Sequence, residues 1–71
     1  MLEIRITSNK MTMRFTDDIV SDRKILLDNA MSKAKNVIVN VTEDGYMVYG
    51  VPEHLYRVLV MLSKDFDIQI L

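Results

Sequence analysis

The chain contains no cysteine and no tryptophan, and it has only two glycines and one proline among its 71 residues. Without cysteine there is no disulfide framework, no cysteine-ligated zinc and no thiol catalysis, so stability must come from the hydrophobic core. No apolar run approaches the roughly 18 residues of a membrane span, and the N-terminal residues alternate in polarity, unlike a signal peptide. We therefore expect a cytoplasmic protein with no membrane partner.

The sequence also lacks an excess of positive charge. Nine lysines and arginines stand against ten aspartates and glutamates, which gives a net charge of −1 and an isoelectric point near 5.6. Affinity for nucleic acid depends largely on basic side chains that contact phosphates. This balance argues against nucleic acid as a partner.

Motifs of catalysis and of cofactor binding are absent. The two glycines are at a predicted turn and before a predicted helix, and they do not form a phosphate-binding loop. The single histidine, His54, falls in the first turn of a predicted helix without a triad pattern, so we expect an exposed helix residue. Asp17 and Asp18 suit a helix N-terminus, and Asp65 and Asp67 match no metal-binding loop. We predict no enzymatic activity, no catalytic residue, no metal and no cofactor.

Hydrophobic residues make up 49% of the chain, which is typical of a folded domain and not of a disordered segment. A domain of this size buries only roughly 60% of the surface that its unfolded chain exposes. We predict a single α+β domain over residues 1–71, small enough for burial against a partner to add substantially to its stability.

Two alternating segments, LEIRI and MTMRF, predict an antiparallel hairpin with one polar face. A two-residue loop at 8–9 places Glu3 opposite Arg14. A register two residues longer would instead place Arg5 opposite Arg14, which like-charge repulsion disfavours. We therefore predict the shorter loop.

Two amphipathic helices follow the two predicted hairpins. The first starts after Thr16, a good N-cap, and ends near Lys35. The second starts at Pro52, which suits the first helical position. The predicted core residues of the first helix are Ile19, Leu26, Leu27, Ala30 and Ala34, with Val20 and Met31 at the margins. Those of the second helix are Leu55, Val58, Leu59 and Leu62.

A second hairpin, NVIVNVT and YMVYGV, turns at the Asp44-Gly45 pair, a strong turn signal that would place Ile38 opposite Val51. With a last strand, FDIQIL, the order becomes ββαββαβ. This order predicts a single mixed or antiparallel sheet of about five strands with two helices on one face. A variant of the ferredoxin-like fold fits if the first strand is set aside. In that fold the strand before the first helix already has two neighbours, so the strand order stays open.

Strand alternation divides the sheet side chains between a core face and an open face. The predicted core face carries Ile4, Ile6, Met11, Met13, Phe15, Val37, Val39, Val41, Tyr46, Val48, Ile68 and Ile70. The apolar members of the open face are Ile38, Met47, Tyr49, Val51 and Leu71. Four of these five come from the second hairpin, so we expect them to form one patch.

Such a patch is covered by a terminus or the first hairpin, by a copy of the chain, or by another macromolecule; alternatively, these are scattered exposed apolar residues of the kind that every protein has. We predict a small protein-interaction module, a regulator, adaptor or inhibitor that binds another protein, and expect a homo-oligomer, by preference a dimer. The outer side of the second helix, with Tyr56 and Val60 beside a Glu53–Arg57 pair, is a second candidate interface.

A single-stranded nucleic-acid binder is the alternative function. Tyr49 on an open sheet face would stack a base, while Arg5 and Arg14 would contact phosphates. Small size, absence of cysteine and six methionines are also common in accessory proteins of phages and mobile elements. That last point is an association without a physical argument.

Overall fold

The chain forms the predicted ββαββαβ order. The computed structural model describes residues 1–16 and 21–71. One mixed sheet and two helices make up an α+β fold. The elements are β1 (Leu2–Ile6), β2 (Lys10–Phe15), α1 (Ser21–Ser32), β3 (Ile38–Val41), β4 (Gly45–Tyr49), α2 (Pro52–Ser63) and β5 (Ile68–Ile70).

The strand order is β3-β4-β2-β1-β5. β1 runs parallel to β5, and the other neighbouring pairs are antiparallel. A ferredoxin-like sheet would place β5 directly beside β2, whereas here β1 lies between them. The first hairpin therefore forms inside the sheet, and the strand order differs from the ferredoxin-like one by this insertion.

The first hairpin has the predicted register. Glu3 lies opposite Arg14, and Arg5 lies opposite Thr12. The Thr7 amide donates to the Lys10 carbonyl oxygen at 2.8 Å, which leaves a two-residue loop. The Arg14 Nε donates to Glu3 Oε1 at 3.0 Å, so the opposite-charge pair that favoured this register forms.

The second hairpin turns one residue earlier than predicted. The Thr42 amide donates to the Gly45 carbonyl oxygen at 2.9 Å, so the loop is 43–44 and Ile38 pairs with Tyr49 instead of Val51. Gly45 lies in β4, at a position where a Cβ would overlap the backbone carbonyl oxygen of Met13 on β2. The change moves each cross-strand partner by two positions, so every side chain keeps its predicted face.

Both helices contribute to one core against one face of the sheet. The Tyr46 hydroxyl donates to Asp28 Oδ1 and ties α1 to β4. α2 buries Leu55, Val58 and Leu62 as predicted, with Leu59 partly buried. The buried cluster consists of Leu2, Ile4, Met11, Met13, Leu27, Met31, Tyr46, Val48, Leu55, Val58, Leu62 and Phe66.

Four of the predicted core residues that the structure describes are exposed. Val41 is 78% exposed because β3 is an edge strand and Val41 is its last residue. Ile6 and Ile70 stand at the ends of β1 and β5, where less of the chain covers them. Leu26 is exposed because α1 packs through Leu27, which points about 100° away on the helix. The core face is thus smaller than alternation alone predicts.

The start of the first helix falls partly outside the described residues. Asp17, Asp18, Ile19 and Val20, which were predicted as its first turn, belong to that segment. Thr16 is described, and its hydroxyl donates to the Met1 carbonyl oxygen at 3.3 Å.

Neither described helix could cross a membrane. α1 and α2 have 12 residues each, which at about 1.5 Å per residue is much shorter than a hydrocarbon core of roughly 30 Å.

Candidate docking surface

Ile38, Tyr49 and Val51 line one depression of about 690 Å³ where β3 begins, β4 ends and α2 begins. Ile38 and Tyr49 are direct cross-strand partners. Val51 is the N-cap residue of α2, in an extended conformation that places it beyond the end of β4. Ile38 is 67% exposed and Val51 is 54% exposed. The structure thus brings together three of the five residues predicted for the open-face patch.

Met47 joins this group through Tyr49. The Tyr49 hydroxyl donates to Met47 Sδ at 2.7 Å, and both side chains are half-buried. Met47 lies between Asn40 on β3 and Thr12 on β2. We call Ile38, Met47, Tyr49 and Val51 the β3–β4 patch.

Leu71 lies near the opposite edge of the sheet. Its amide donates to the Ile4 carbonyl oxygen at 2.8 Å, so it extends β5 beside β1. β2 and β1 separate it from β4, a distance of three strand spacings or roughly 14 Å. The five predicted residues therefore do not form a single patch, because the strand order places β4 and β5 apart.

Leu71 lines a different depression, of about 520 Å³, whose other walls are mainly polar. Arg5 and Arg14, the predicted phosphate contacts, both line it, together with Lys10. Lys10 was missed by the sequence analysis, although its alternation with Thr12 and Arg14 along β2 indicates the open face. Lys10 is also the cross-strand neighbour of Tyr49, so the aromatic ring and the basic group adjoin.

Tyr56 and Val60 are both exposed on α2, at 65% and 40% respectively. The predicted pair beside them forms, since Arg57 Nη2 donates to Glu53 Oε1 at 3.0 Å. These residues are on a helix, which packs on the opposite face of the sheet from the β3–β4 patch. The second candidate interface is therefore a separate surface.

The free edge of β3 adjoins the β3–β4 patch. Thr42 and Gly45 form a hydrogen-bonded pair, and such pairs alternate along an antiparallel ladder. The amide and carbonyl groups of Val39 and Val41 therefore point away from β4, where no described strand pairs with them. The strand IVNV contains no charge and no proline, the usual features that prevent an edge from pairing. Sequence reasoning missed this edge because it left the strand order open.

A cluster of lysine, arginine and histidine side chains lies beside the start of β3. Lys33, Lys35, His54 and Arg57 line a cavity of about 220 Å³ between the end of α1 and the side of α2. Neither lysine has a salt-bridge partner among the described residues. His54 also lines the depression that holds Ile38, so the two cavities adjoin.

His54 differs from its predicted environment. The side chain is half-buried instead of exposed, and it lines both of these cavities. Its Nδ1 is buried and has no hydrogen-bond partner among the described residues.

Tyr46 lies on the face of β4 opposite the β3–β4 patch, where it is buried and bonded to Asp28 of α1. Its burial, together with the hydrogen bond to the Asp28 carboxylate and the negative charge of that group, raises the pKa of Tyr46 to about 12. The neutral phenol is therefore the form that packs between β4 and α1.

No protein-family model matches this chain, and neither a curated protein nor a solved structure shows detectable similarity to it. Function is therefore inferred from the exposure, contacts and charges of the described residues.

Proposed function

We propose that the protein is a small non-enzymatic interaction module of the cytoplasm, which associates with a second copy of itself through the β3–β4 patch. As a regulator, adaptor or inhibitor it would act by binding and not by catalysis. The observation that carries the proposal is the shared depression in which Ile38 and Val51 are more than half exposed. Exposed apolar groups that adjoin in this way commonly mark interaction sites.

Burial of these side chains would supply a useful free energy of association. Complete burial of a valine or isoleucine side chain contributes about 1.5 to 3 kcal/mol. A two-fold symmetric contact buries each residue twice, because the same surface is used on both copies. The free energy of burying these side chains is therefore large compared with the roughly 4 to 11 kcal/mol expected for the stability of 71 residues.

The double variant Tyr49→Asp with Met47→Lys tests the proposal. Both side chains are on the open face, so the variant should keep the circular dichroism spectrum of the wild type. Where the contact covers the open face, sedimentation equilibrium should show a wild-type dimer and a monomeric variant, since two charged groups would be buried in it. A monomeric wild type at all concentrations would refute self-association. An unfolded variant would show that the patch supports the fold, and Ile38→Lys would then repeat the test at a more exposed position.

A single-stranded nucleic-acid binder is the second candidate, favoured by one specific arrangement. Arg5, Lys10 and Arg14 line one depression, and Lys10 adjoins Tyr49. This combination of basic groups and an aromatic ring is the one that holds single strands. The salt bridge between Arg14 and Glu3 at 3.0 Å reduces the positive charge available.

Fluorescence anisotropy with a labelled oligothymidylate distinguishes the two candidates. A nucleic-acid binder would bind at low salt, lose affinity steeply with ionic strength, and lose it further on Arg5→Gln. The matched control is Lys64→Gln, which removes the same charge at the end of α2. Absence of binding at low salt would exclude this candidate and leave self-association unaffected.

A further inference from the structure

We propose that β3 pairs antiparallel with β3 of a second copy, about a two-fold axis at Asn40, so that one sheet runs through both copies. This inference rests on the proposed self-association and specifies its geometry: the contact runs along the free edge of β3, where Ile38 of the β3–β4 patch takes part and Met47, Tyr49 and Val51 stay on the open face. The partner is a second copy of the chain, and the contact is made by the backbone of an edge strand, by apolar side chains and by complementary charges.

The backbone of β3 has the groups that such pairing needs. Val39 and Val41 direct their amide and carbonyl groups away from β4, as the bonding of Thr42 to Gly45 fixes. An antiparallel copy centred on Asn40 places Val39 opposite Val41 of the second copy, and the reverse. Each of these pairs can exchange two N–H···O bonds, so all four outward groups on each copy would be used.

The side chains agree with this register. Val39 and Val41 are on the helix side of the sheet, and the pairing would cover Val41, the most exposed large apolar side chain among those described. On the open face Asn40 would meet Asn40 of the second copy, where two amides can form hydrogen bonds. Ile38 would meet Thr42 of the second copy, which extends the contact towards the depression of the β3–β4 patch.

The charges that flank β3 favour a second copy of the chain as the partner at this edge. Basic residues Lys33 and Lys35 precede β3, and acidic residues Glu43 and Asp44 follow it, all of them exposed. Antiparallel pairing about Asn40 brings the acidic loop of one copy beside the basic segment of the other. The two-fold axis repeats this contact, so two oppositely charged contacts form.

β5, at the other edge of the sheet, is less suited to self-pairing. It has three residues against the four of β3. The residue just before it, Asp67, is acidic, and Leu71 after it is apolar, so a copy paired antiparallel about Gln69 would place an acid beside an apolar group and not beside a base.

A charge-exchange experiment tests the register. Lys35→Glu alone and Glu43→Lys alone each create two like-charged contacts in a homodimer, which should weaken dimerisation about 10-fold or more. An equimolar mixture of the two variants restores opposite charges at both contacts, and should recover wild-type affinity. Lys64→Glu is the matched control and should leave affinity unchanged. A mixture no tighter than either variant would overturn the proposed register.

Amide hydrogen exchange separates this inference from self-association itself. The amides of Ile38 and Asn40 face β4 and should exchange slowly in monomer and dimer alike. The amides of Val39 and Val41 should exchange rapidly at low protein concentration and at least 10-fold more slowly where the dimer predominates. Rapid exchange of both valines in a confirmed dimer would refute edge pairing but not self-association. A chain that stays monomeric at every concentration would refute both.

Discussion

The two hairpins of this protein have the same local design but different surroundings. β1–β2 lies inside the sheet with neighbours on both sides, and its open-face side chains are polar or charged. β3–β4 lies at the edge, and its open face carries the apolar β3–β4 patch. The comparison shows that a hairpin with two apolar faces need not be a central one. Here its second apolar face lies where another chain can reach it.

The largest expected effect comes from the glycine at which the two hairpins meet. Gly45→Ala would force a Cβ onto the Met13 carbonyl oxygen, and we expect a loss of about 3 kcal/mol or more in the free energy of unfolding. At Gly50 a Cβ would lie 2.9 Å from a side-chain methyl group of Val37 that can move, so Gly50→Ala should cost about 1 kcal/mol. Urea unfolding measures both, and equal losses would show that the close contact between β4 and β2 does not require glycine.

Two valines of the second hairpin should differ in what they contribute. Val48→Ala removes a fully buried side chain and should cost about 2 kcal/mol. Val41→Ala alters a side chain that is exposed in the monomer, so the change should stay within about 0.5 kcal/mol. The measurement is urea unfolding at a concentration where the chain is monomeric. A loss of about 2 kcal/mol for Val41→Ala would mean that Val41 is covered within its own chain.

A modest effect is expected on the buried face of β4. Tyr46→Phe removes the hydrogen bond to Asp28 and should cost about 1 kcal/mol at neutral pH. Because the folded chain holds the pKa of Tyr46 near 12 and the unfolded chain near 10.0, the stability due to the neutral phenol is complete below pH 10. It should then be lost as the pH rises from 10 to 12.

The difference in unfolding free energy between wild type and Tyr46→Phe should therefore shrink over that range. A difference that is constant from pH 8 to pH 12 would show that the phenol does not titrate abnormally.

Local patterns in the sequence predicted the elements, the first register and the face of each strand side chain, because these depend on neighbours in sequence. The Glu3–Arg14 pair fixed the first register correctly. The second turn was predicted one residue too late, because the Asp44-Gly45 pair is a strong turn signal. The glycine at position 45 is better explained by the close approach of β2. That approach is a long-range contact, which turn chemistry does not contain.

The candidate site was predicted in part for the same reason. Ile38, Met47, Tyr49 and Val51 come from one hairpin, so their proximity follows from local pairing. Leu71 does not join them, since its position depends on the insertion of β1 between β2 and β5. The free edge at Val41 depends likewise on the strand order, and no pattern within NVIVNVT distinguishes an edge strand from a central one.

Light scattering tests whether the apolar face of the second hairpin is a self-association surface. Molar mass is measured over a concentration series for wild type and two variants. The variants are Ile38→Lys on the edge hairpin and Leu71→Lys near the opposite edge of the sheet. We expect a wild-type dimer, a monomeric Ile38→Lys and a dimeric Leu71→Lys. A wild type that remains monomeric, or a dimer that Leu71→Lys disrupts and Ile38→Lys does not, would contradict this expectation.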